Sequence, residues 1–325
     1  MKKLGILLLI AAGCIAYYHY SYAPEKRNVP AETAYVLSDR VAAFDTTAII
    51  RRVVATLHSG QAVHVAARIG EWAKLSLPGG QTGWVKQSEL IDAQTYERGV
   101  NLLEQAEKIP VQADGHTNAP ANLHLDPSFA ALKLTEFPEG AQVDVYDRRL
   151  VPRTSPAGSS KPRTDVWYLV RSGNRAGWIL GRFVDLDIPS GLANYAQGIN
   201  MVAWLVLDSV NDGGSAVPQY VAADRIGTRE PDFNHIRVFT WWVKHHKYVT
   251  AFVESGLQGY FPITITRLGK VPYFRLRLVN DDGQKIQKVY GLFDTIVRPI
   301  GEVGGWTSDA MPAASAKRRL YRRRR

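Results

Sequence analysis

Cysteine is almost absent from this chain: Cys14 is the only one among 325 residues. No internal disulfide can form, so stability has to come from packed cores. If Cys14 is modified or removed, no thiol remains for cysteine-based catalysis. Long apolar runs are missing as well. The run at 4–12, even carried on through Ile15 to Tyr18, falls short of the roughly 20 residues that normally span a bilayer. Several catalytic signatures are lacking, since there is no "GxSxG", no "HExxH" and no phosphate-binding loop. His235, His245 and His246 form the nearest histidine cluster, but adjacent turn residues diverge and no carboxylate stands at a familiar ligand spacing. Neither a metal nor a cofactor is expected. Asp281 and Asp282 fall in a tight turn and read as solvated, not as an acid and base pair.

Charge is unevenly spread. Of the formal net charge of +10, seven units lie in the last nine residues, "KRRLYRRRR", and two on Lys2 and Lys3, which leaves one for everything else. The folded body therefore has no broad basic footprint, and a specific nucleic-acid partner is not expected. The segment 306–325 reads as a disordered basic tail, either a tether for an anionic surface or a solvated end. With 46% hydrophobic and 22% charged residues, the length suits two or three globular domains.

At the amino terminus, "MKKLGILLLIAAGC" has a charged start, an apolar run and then small residues, the layout of an export signal over 1–23. "IAAG" before Cys14 resembles the lipobox of bacterial lipoproteins, although Ala11 stands where that pattern prefers Leu. The resemblance implies lipidation of Cys14; a retained signal anchor, ordinary cleavage and a merely buried cysteine are the alternatives. All but the last export the protein to the cell envelope.

Two stretches share one grammar. In 32–92, "AVHVAA" and "WAKLSL" alternate apolar and polar as half-buried strands do, punctuated by Gly60, Gly70, Gly79 and Gly80. In 113–187, "EGAQVDVYDR" and "DVWYLVRSGNRAGWILGRFVDLD" repeat it, with Trp72 matching Trp167 and Gly83-Trp84 matching Gly177-Trp178. The second stretch carries an insertion at 151–164, rich in Pro, Ser and Gly, with Arg153 and Arg163 near its ends. Such short strands and turns predict two small β-barrels. Trp84 and Trp178 read as core aromatics beside glycines that let strands pass closely. Trp72, Trp167 and Tyr168 are the candidate ligand platforms, because alternation along a strand puts one of an aromatic pair outside. Arg153 and Arg163 on the exposed loop are candidate contacts for an acidic ligand. Between the stretches, 93–110 places Tyr96, Val100, Leu103 and Glu107 at helical spacing and ends at Pro110, which predicts an amphipathic helix packed through that stripe.

"ANLHLDPS", "FPEGAQVDVYDR", "VWYLV" and "AGWIL" resemble the bacterial Src-homology-3 type (SH3b) domain. Asn122, Leu123, His124, Pro127 and Ser128 match its opening strand, with His124 where the family usually has Arg. The first stretch keeps the later strands behind a degenerate opening, "AYVLSDRVAAFDTT". The resemblance covers about 130 of the 325 residues. It implies small barrels that bind cell-wall peptide or protein partners outside the cytoplasm, often beside an enzyme domain. The aromatic loop and Trp pair of proline-peptide binders are missing, so a "PxxP" ligand is not expected.

The region 196–303 stays β, with seven predicted strands: "NMVAWLVLDSV", "PQYVAADRI", "HIRVFTWWVK", "KYVTAFVES", "YFPITITRL", "PYFRLRLVN" and "KIQKVYGLF". "KHHK" and "NDDGQ" are predicted turns. A separate antiparallel sheet or barrel follows. Trp241 and Trp242 with Phe239 and Phe252 read as core, and Arg275 and Arg277 as a solvated face. The whole predicts a mainly β protein: two SH3-like barrels joined by a helix, then a third β domain. Its expected work is noncatalytic binding of peptidoglycan peptide or an envelope protein, with a membrane reached through a lipid or signal anchor. The rivals are a wall-targeted enzyme with its active site in the third domain, and a scaffold without a wall ligand.

Overall fold

The computed structural model describes residues 32–38, 40–153, 163–227 and 230–307. Residues 1–31, where the export signal and Cys14 were expected to act, residues 154–162 of the insertion and residues 308–325 lie outside the described residues. The chain is mostly β, built as three antiparallel sheets of seven strands each. It divides into two compact units, one ending at Asp92 and one beginning at Ala93. Among the described residues, no helix is long and apolar enough to cross a membrane.

The first unit comprises β1 (Glu32–Val36), β2 (Arg40–Phe44), β3 (Val53–His58), β4 (Ala62–Ile69), β5 (Trp72–Ser76), β6 (Thr82–Lys86) and β7 (Leu90–Asp92), in the spatial order β3-β2-β6-β5-β4-β1-β7. Its core is made of small and branched side chains, among them Ala34, Val65, Ala73, Leu75 and Val85. Ala73 and Leu75 point inward, so Trp72, Lys74 and Ser76 point out, as the two-residue period of a strand requires. A side chain at Gly83 would meet Ala43 Cβ at 2.9 Å and Leu77 at 3.0 Å, and glycine is what lets β6 lie against that core.

The second unit opens with α1 (Ala93–Glu107). Pro110, which can neither donate to a helix nor let its predecessor stay helical, ends it. The packed stripe is Thr95, Leu102, Leu103 and Ala106, while Val100 and Glu107 face solvent. The stripe expected from Tyr96, Val100, Leu103 and Glu107 is thus turned by about one residue. Its register is set by the surface it covers, the outer face of the second sheet, where Leu169, Trp178 and Leu180 contact Ala106 and the leucines of α1.

That sheet comprises β8 (Ala113–Thr117), β9 (Ala121–His124), β10 (Lys133–Phe137), β11 (Gln142–Arg153), β12 (Arg163–Ser172), β13 (Arg175–Leu180) and β14 (Val184–Leu186). Its order, β10-β9-β13-β12-β11-β8-β14, reproduces the first sheet strand for strand. Trp72 pairs with Lys86 and Lys74 with Trp84 in the first sheet; Trp167 pairs with Leu180 and Leu169 with Trp178 in the second. The same outward positions therefore hold Lys74, Trp84 and Lys86 in one sheet and Leu169, Trp178 and Leu180 in the other. Among the described residues only the second set has a helix to bury it.

The third sheet runs in sequence order, β15 (Asn200–Asp212), β16 (Ser215–Arg225), β17 (Phe233–Trp242), β18 (Lys247–Leu268), β19 (Val271–Val279), β20 (Lys285–Phe293) and β21 (Ile296–Gly304). Two of the predicted strands are halves of β18, whose first part pairs with β17 and whose second part, from Gly259, pairs with β19. Gly259 is required at the changeover, because a Cβ there would lie 2.0 Å from the Phe233 ring. β21 was not legible as a strand; its Pro299, Gly301 and Gly304 hide it. One face is a filled apolar core around Val221, Phe233, Val238, Phe274 and Tyr290. Arg275 is buried, not solvated as its alternation suggested, and Arg277 is half-buried, because the opposite face is also covered over part of its area.

Two devices join the second and third sheets. Gln112, fully buried, receives Ile263 N–H on its Oε1 at 2.7 Å and donates its Nε2 to Ile263 O at 3.1 Å and Pro110 O at 2.7 Å. Its own carbonyl accepts Trp204 N–H at 2.8 Å. Arg148 Nη1 lies 2.6 Å from Asp232 Oδ1, and Asp232 Oδ2 accepts the Phe261 N–H at 3.1 Å. These bonds satisfy groups that no water reaches, so their loss would be costly.

Candidate functional site

On the first sheet the outward Trp72 floors a hollow of about 260 Å³, walled by Arg40, Phe44, Arg51, Lys86 and Glu89. Phe44 meets Trp72 edge to face at 6.3 Å between centroids and 83°. Arg51, on the connection between β2 and β3, lays its guanidinium 4.2 Å from the Phe44 centroid and 4.9 Å from that of Trp72. This cover brings Trp72 down to 9% exposure although it lies outside the core. An exposed cation over a ring contributes only about 0.5–1 kcal/mol, so a ligand can displace it. On its wall the Ser38 hydroxyl donates to Glu89, and next to Lys86 the Gln87 Nε2 donates to Gly70 O at 2.7 Å while its Oε1 accepts Arg68 Nη1 at 2.9 Å. Three cations and one carboxylate line the hollow, so its field favours an anionic or carboxylate-ended ligand.

The equivalent place on the second sheet is closed. Trp167 is 1% exposed beneath His124, at 5.4 Å and 90°, and Phe129, at 5.2 Å and 68°. His124 occupies the place of Phe44, each pairing with the Trp of the Gly-Trp dipeptide. Its Nδ1 donates to Ala131 O at 3.2 Å, which holds the ring over Trp167. Tyr168 points to the other side of β12 and is buried, and burial raises its phenol above the usual tyrosine range. Arg153 and Arg163 are direct cross-strand partners at the base of the insertion; their side chains lie outside the described residues. The candidate residues are therefore not brought together. Trp72 alone floors a hollow, and its partners Phe44 and Arg51 were missed because the segment that carries them reads as degenerate.

The Gly-Trp tryptophans are not in the barrel cores as expected. Trp84 is half-buried on the outside with Lys74 Nζ 5.8 Å from its centroid, and Trp178 is buried under α1. Val85 and Ile179 fill the interior positions next to them. The glycines do serve close approach: a Cβ at Gly177 would lie 2.5 Å from Leu123 Cγ.

In the third sheet the three histidines are apart. His235 shares the buried Asp224 with Arg237, at 2.8 Å from its Nδ1 and 2.7 and 2.8 Å from the guanidinium. His246 binds Asp212 at 2.6 Å, and His245 packs on Trp242. Hydrogen bonds from Trp241 and His246 hold the Asp212 carboxyl below its ordinary value. Among the described residues no group of three His, Cys, Asp or Glu could hold a metal. Phe239 is buried, Trp241 half-buried and Trp242 exposed at 45%, so the Trp pair is not core as a whole.

Residues 38–92 match the family model of the bacterial SH3 domain. The match falls on the first sheet, whose opening departs most from the family pattern. No curated protein matches the chain. Among solved structures, NlpC2 from Trichomonas vaginalis is similar over 69% of this chain and 96% of its own, at 10% identity and a TM-score of 0.18. NlpC1 from the same organism covers 70% and 93% at 11% identity and 0.18, and an NlpC/P60 family protein from Bacillus cereus 69% and 94% at 11% and 0.20. At these scores the likenesses carry no argument about this chain.

Proposed function

We propose that this is a noncatalytic cell-envelope protein whose first sheet binds the peptide part of the cell wall through the Trp72 hollow. The observation that carries the reading is an arginine-covered tryptophan, with a surplus of positive charge around it, inside the segment that matches the bacterial SH3 domain. Such domains serve as wall-binding or protein-binding modules, and wall peptides end in carboxylates that Arg40, Arg51 and Lys86 would attract. The shared strand order supports reading 113–187 as a second SH3-like domain, in which His124 and Phe129 have closed the corresponding hollow. Export and anchoring through the first 23 residues, with lipidation at Cys14, complete the proposal. The absence of a catalytic role is part of it, supported by the apolar core of the third sheet and by His235 being tied to Asp224 beside Arg237.

The test is retention of the purified chain on peptidoglycan. Trp72→Ala and Arg51→Glu should each weaken binding by about tenfold or more, the scale of losing one buried aromatic or charge contact. A folded Trp72→Ala variant that is retained like the parent overturns the assignment of the site. Mass spectrometry of the mature amino terminus tests the anchor separately: an unmodified terminus beyond Cys14 excludes a lipoprotein.

A further inference from the structure

The second and third sheets meet along a cleft of about 400 Å³, a size that holds one or two small rings. One side is β11, with Asp147, Arg148 and Arg149; the other is Glu230 and Asp232 ahead of β17, Tyr260 on β18, Arg277 on β19 and Trp306 just beyond β21, so three carboxylates and three guanidinium groups line it. Most charges there are already matched. Arg148 pairs with Asp232 at 2.6 Å and Arg149 with Asp147 at 3.1 Å. Arg277 is the exception: among the described residues no carboxylate stands within salt-bridge distance of it, and its one hydrogen bond is a long one of 3.5 Å to Phe261 O. Burial pulls its pKa down, and the Asp147 charge across the cleft offsets this only in part. Beside it is an aromatic wall: Tyr260, its direct cross-strand partner, and Trp306, with centroids 5.2 Å apart. Trp306 is fixed by its Nε1 donating to Leu278 O at 2.9 Å.

A half-desolvated arginine asks for a planar anion, and two fixed rings ask for a flat apolar face. The Asp147–Arg149 pair at the mouth offers both an acceptor and donors to hydroxyl groups. A pyranose that bears a carboxylate meets all three demands, with C–H groups on the rings, carboxylate on Arg277 and hydroxyls on the pair. We propose that this cleft is a binding site for a carboxylate-bearing sugar, distinct from the Trp72 hollow and not dependent on it.

Calorimetric titration of the full chain with N-acetylmuramic acid and with glucuronic acid should show binding at about 1 mM or tighter. N-acetylglucosamine and glucose, which lack the carboxylate, should bind at least about tenfold more weakly. Arg277→Gln and Trp306→Ala should each remove about tenfold or more, Arg277→Lys should keep part of the affinity, and Trp72→Ala should change nothing. Thermal unfolding of each variant checks that it is folded. No binding of either acidic sugar, equal binding of the neutral ones, full affinity in folded Arg277→Gln, or tighter binding of benzoate or a dipeptide than of the acidic sugars overturns the proposal.

Discussion

At the residue scale, the two glycines before tryptophan do the same work under different constraints. Gly177 has Leu123 Cγ at 2.5 Å and the backbone oxygen of His124 at 2.9 Å from the place a Cβ would take, whereas Gly83 meets side chains at 2.9 Å and beyond. The contacts at Gly177 are the shorter, and one of them is to a backbone oxygen. Gly177→Ala should cost about 1–3 kcal/mol and Gly83→Ala less, read from urea unfolding of the two variants. A larger loss at Gly83 would contradict the packing described. Asp147 provides a second residue-scale test. Burial is the largest influence on it and raises its carboxyl above the ordinary 3.8, with Arg149 only partly offsetting this. Between the unfolded and folded values, the folded state keeps a proton that the unfolded chain has released. Its contribution to stability is therefore full below pH 3.8 and is lost as pH rises through the folded value. Asp147→Asn removes that titration, so its stability relative to the parent should rise from acid toward neutral pH. A relative stability that falls instead, measured by denaturation across this range, would reverse the sign argued for Asp147.

At the scale of elements, the face of α1 separates two readings. If Thr95, Leu102, Leu103 and Ala106 face the sheet, Ala106→Leu should overpack it by about 1–3 kcal/mol. Val100→Lys should stay within about 0.5 kcal/mol. The opposite ranking would restore the stripe through Val100. The helix itself was legible from spacing and Pro110, but not its angle about the axis, because Leu169, Trp178 and Leu180 that dictate it lie some 70 residues further along the chain. The same limit explains the tryptophans: alternation puts Trp84 and Trp178 on one side of a strand, and only a distant element decides whether that side is covered. The strand pairing around Gly-Trp was readable, since the glycine needs no partner to be recognised as a place of close approach. β18 was not readable as one strand, because its middle, "ESGLQG", has the composition of a loop. The hollow at Trp72 was half legible; Trp72 stands out in sequence, and Arg51 becomes its cover only through a turn.

At the scale of the molecule, the chain should unfold as two cooperative steps, one for the unit ending at Asp92 and one for the unit beginning at Ala93. Within the larger unit the second and third sheets should melt together, because Gln112 and the Arg148–Asp232 pair bind them. Gln112→Ala leaves the Ile263 N–H and C=O buried without these partners, at a cost of about 1–3 kcal/mol per group. Calorimetry should then show the second transition broaden or split. A single transition for the whole parent chain would contradict the division into units. Asp232→Asn takes away the negative charge that Arg148, whose side chain has no exposed surface, is paired with, and should be costlier than the paired change of both residues to apolar ones of similar size.

The unequal dressing of the two sheets bears on how the protein can be cut. The first sheet shows solvent Lys74 and Lys86 where the second shows Leu169 and Leu180, so this face of residues 32–92 does not depend on a helix to cover it. A fragment begun at Ala113 would present Leu169, Trp178 and Leu180 as a bare sticky patch and should aggregate in expression, while one begun at Ala93 should remain dispersed.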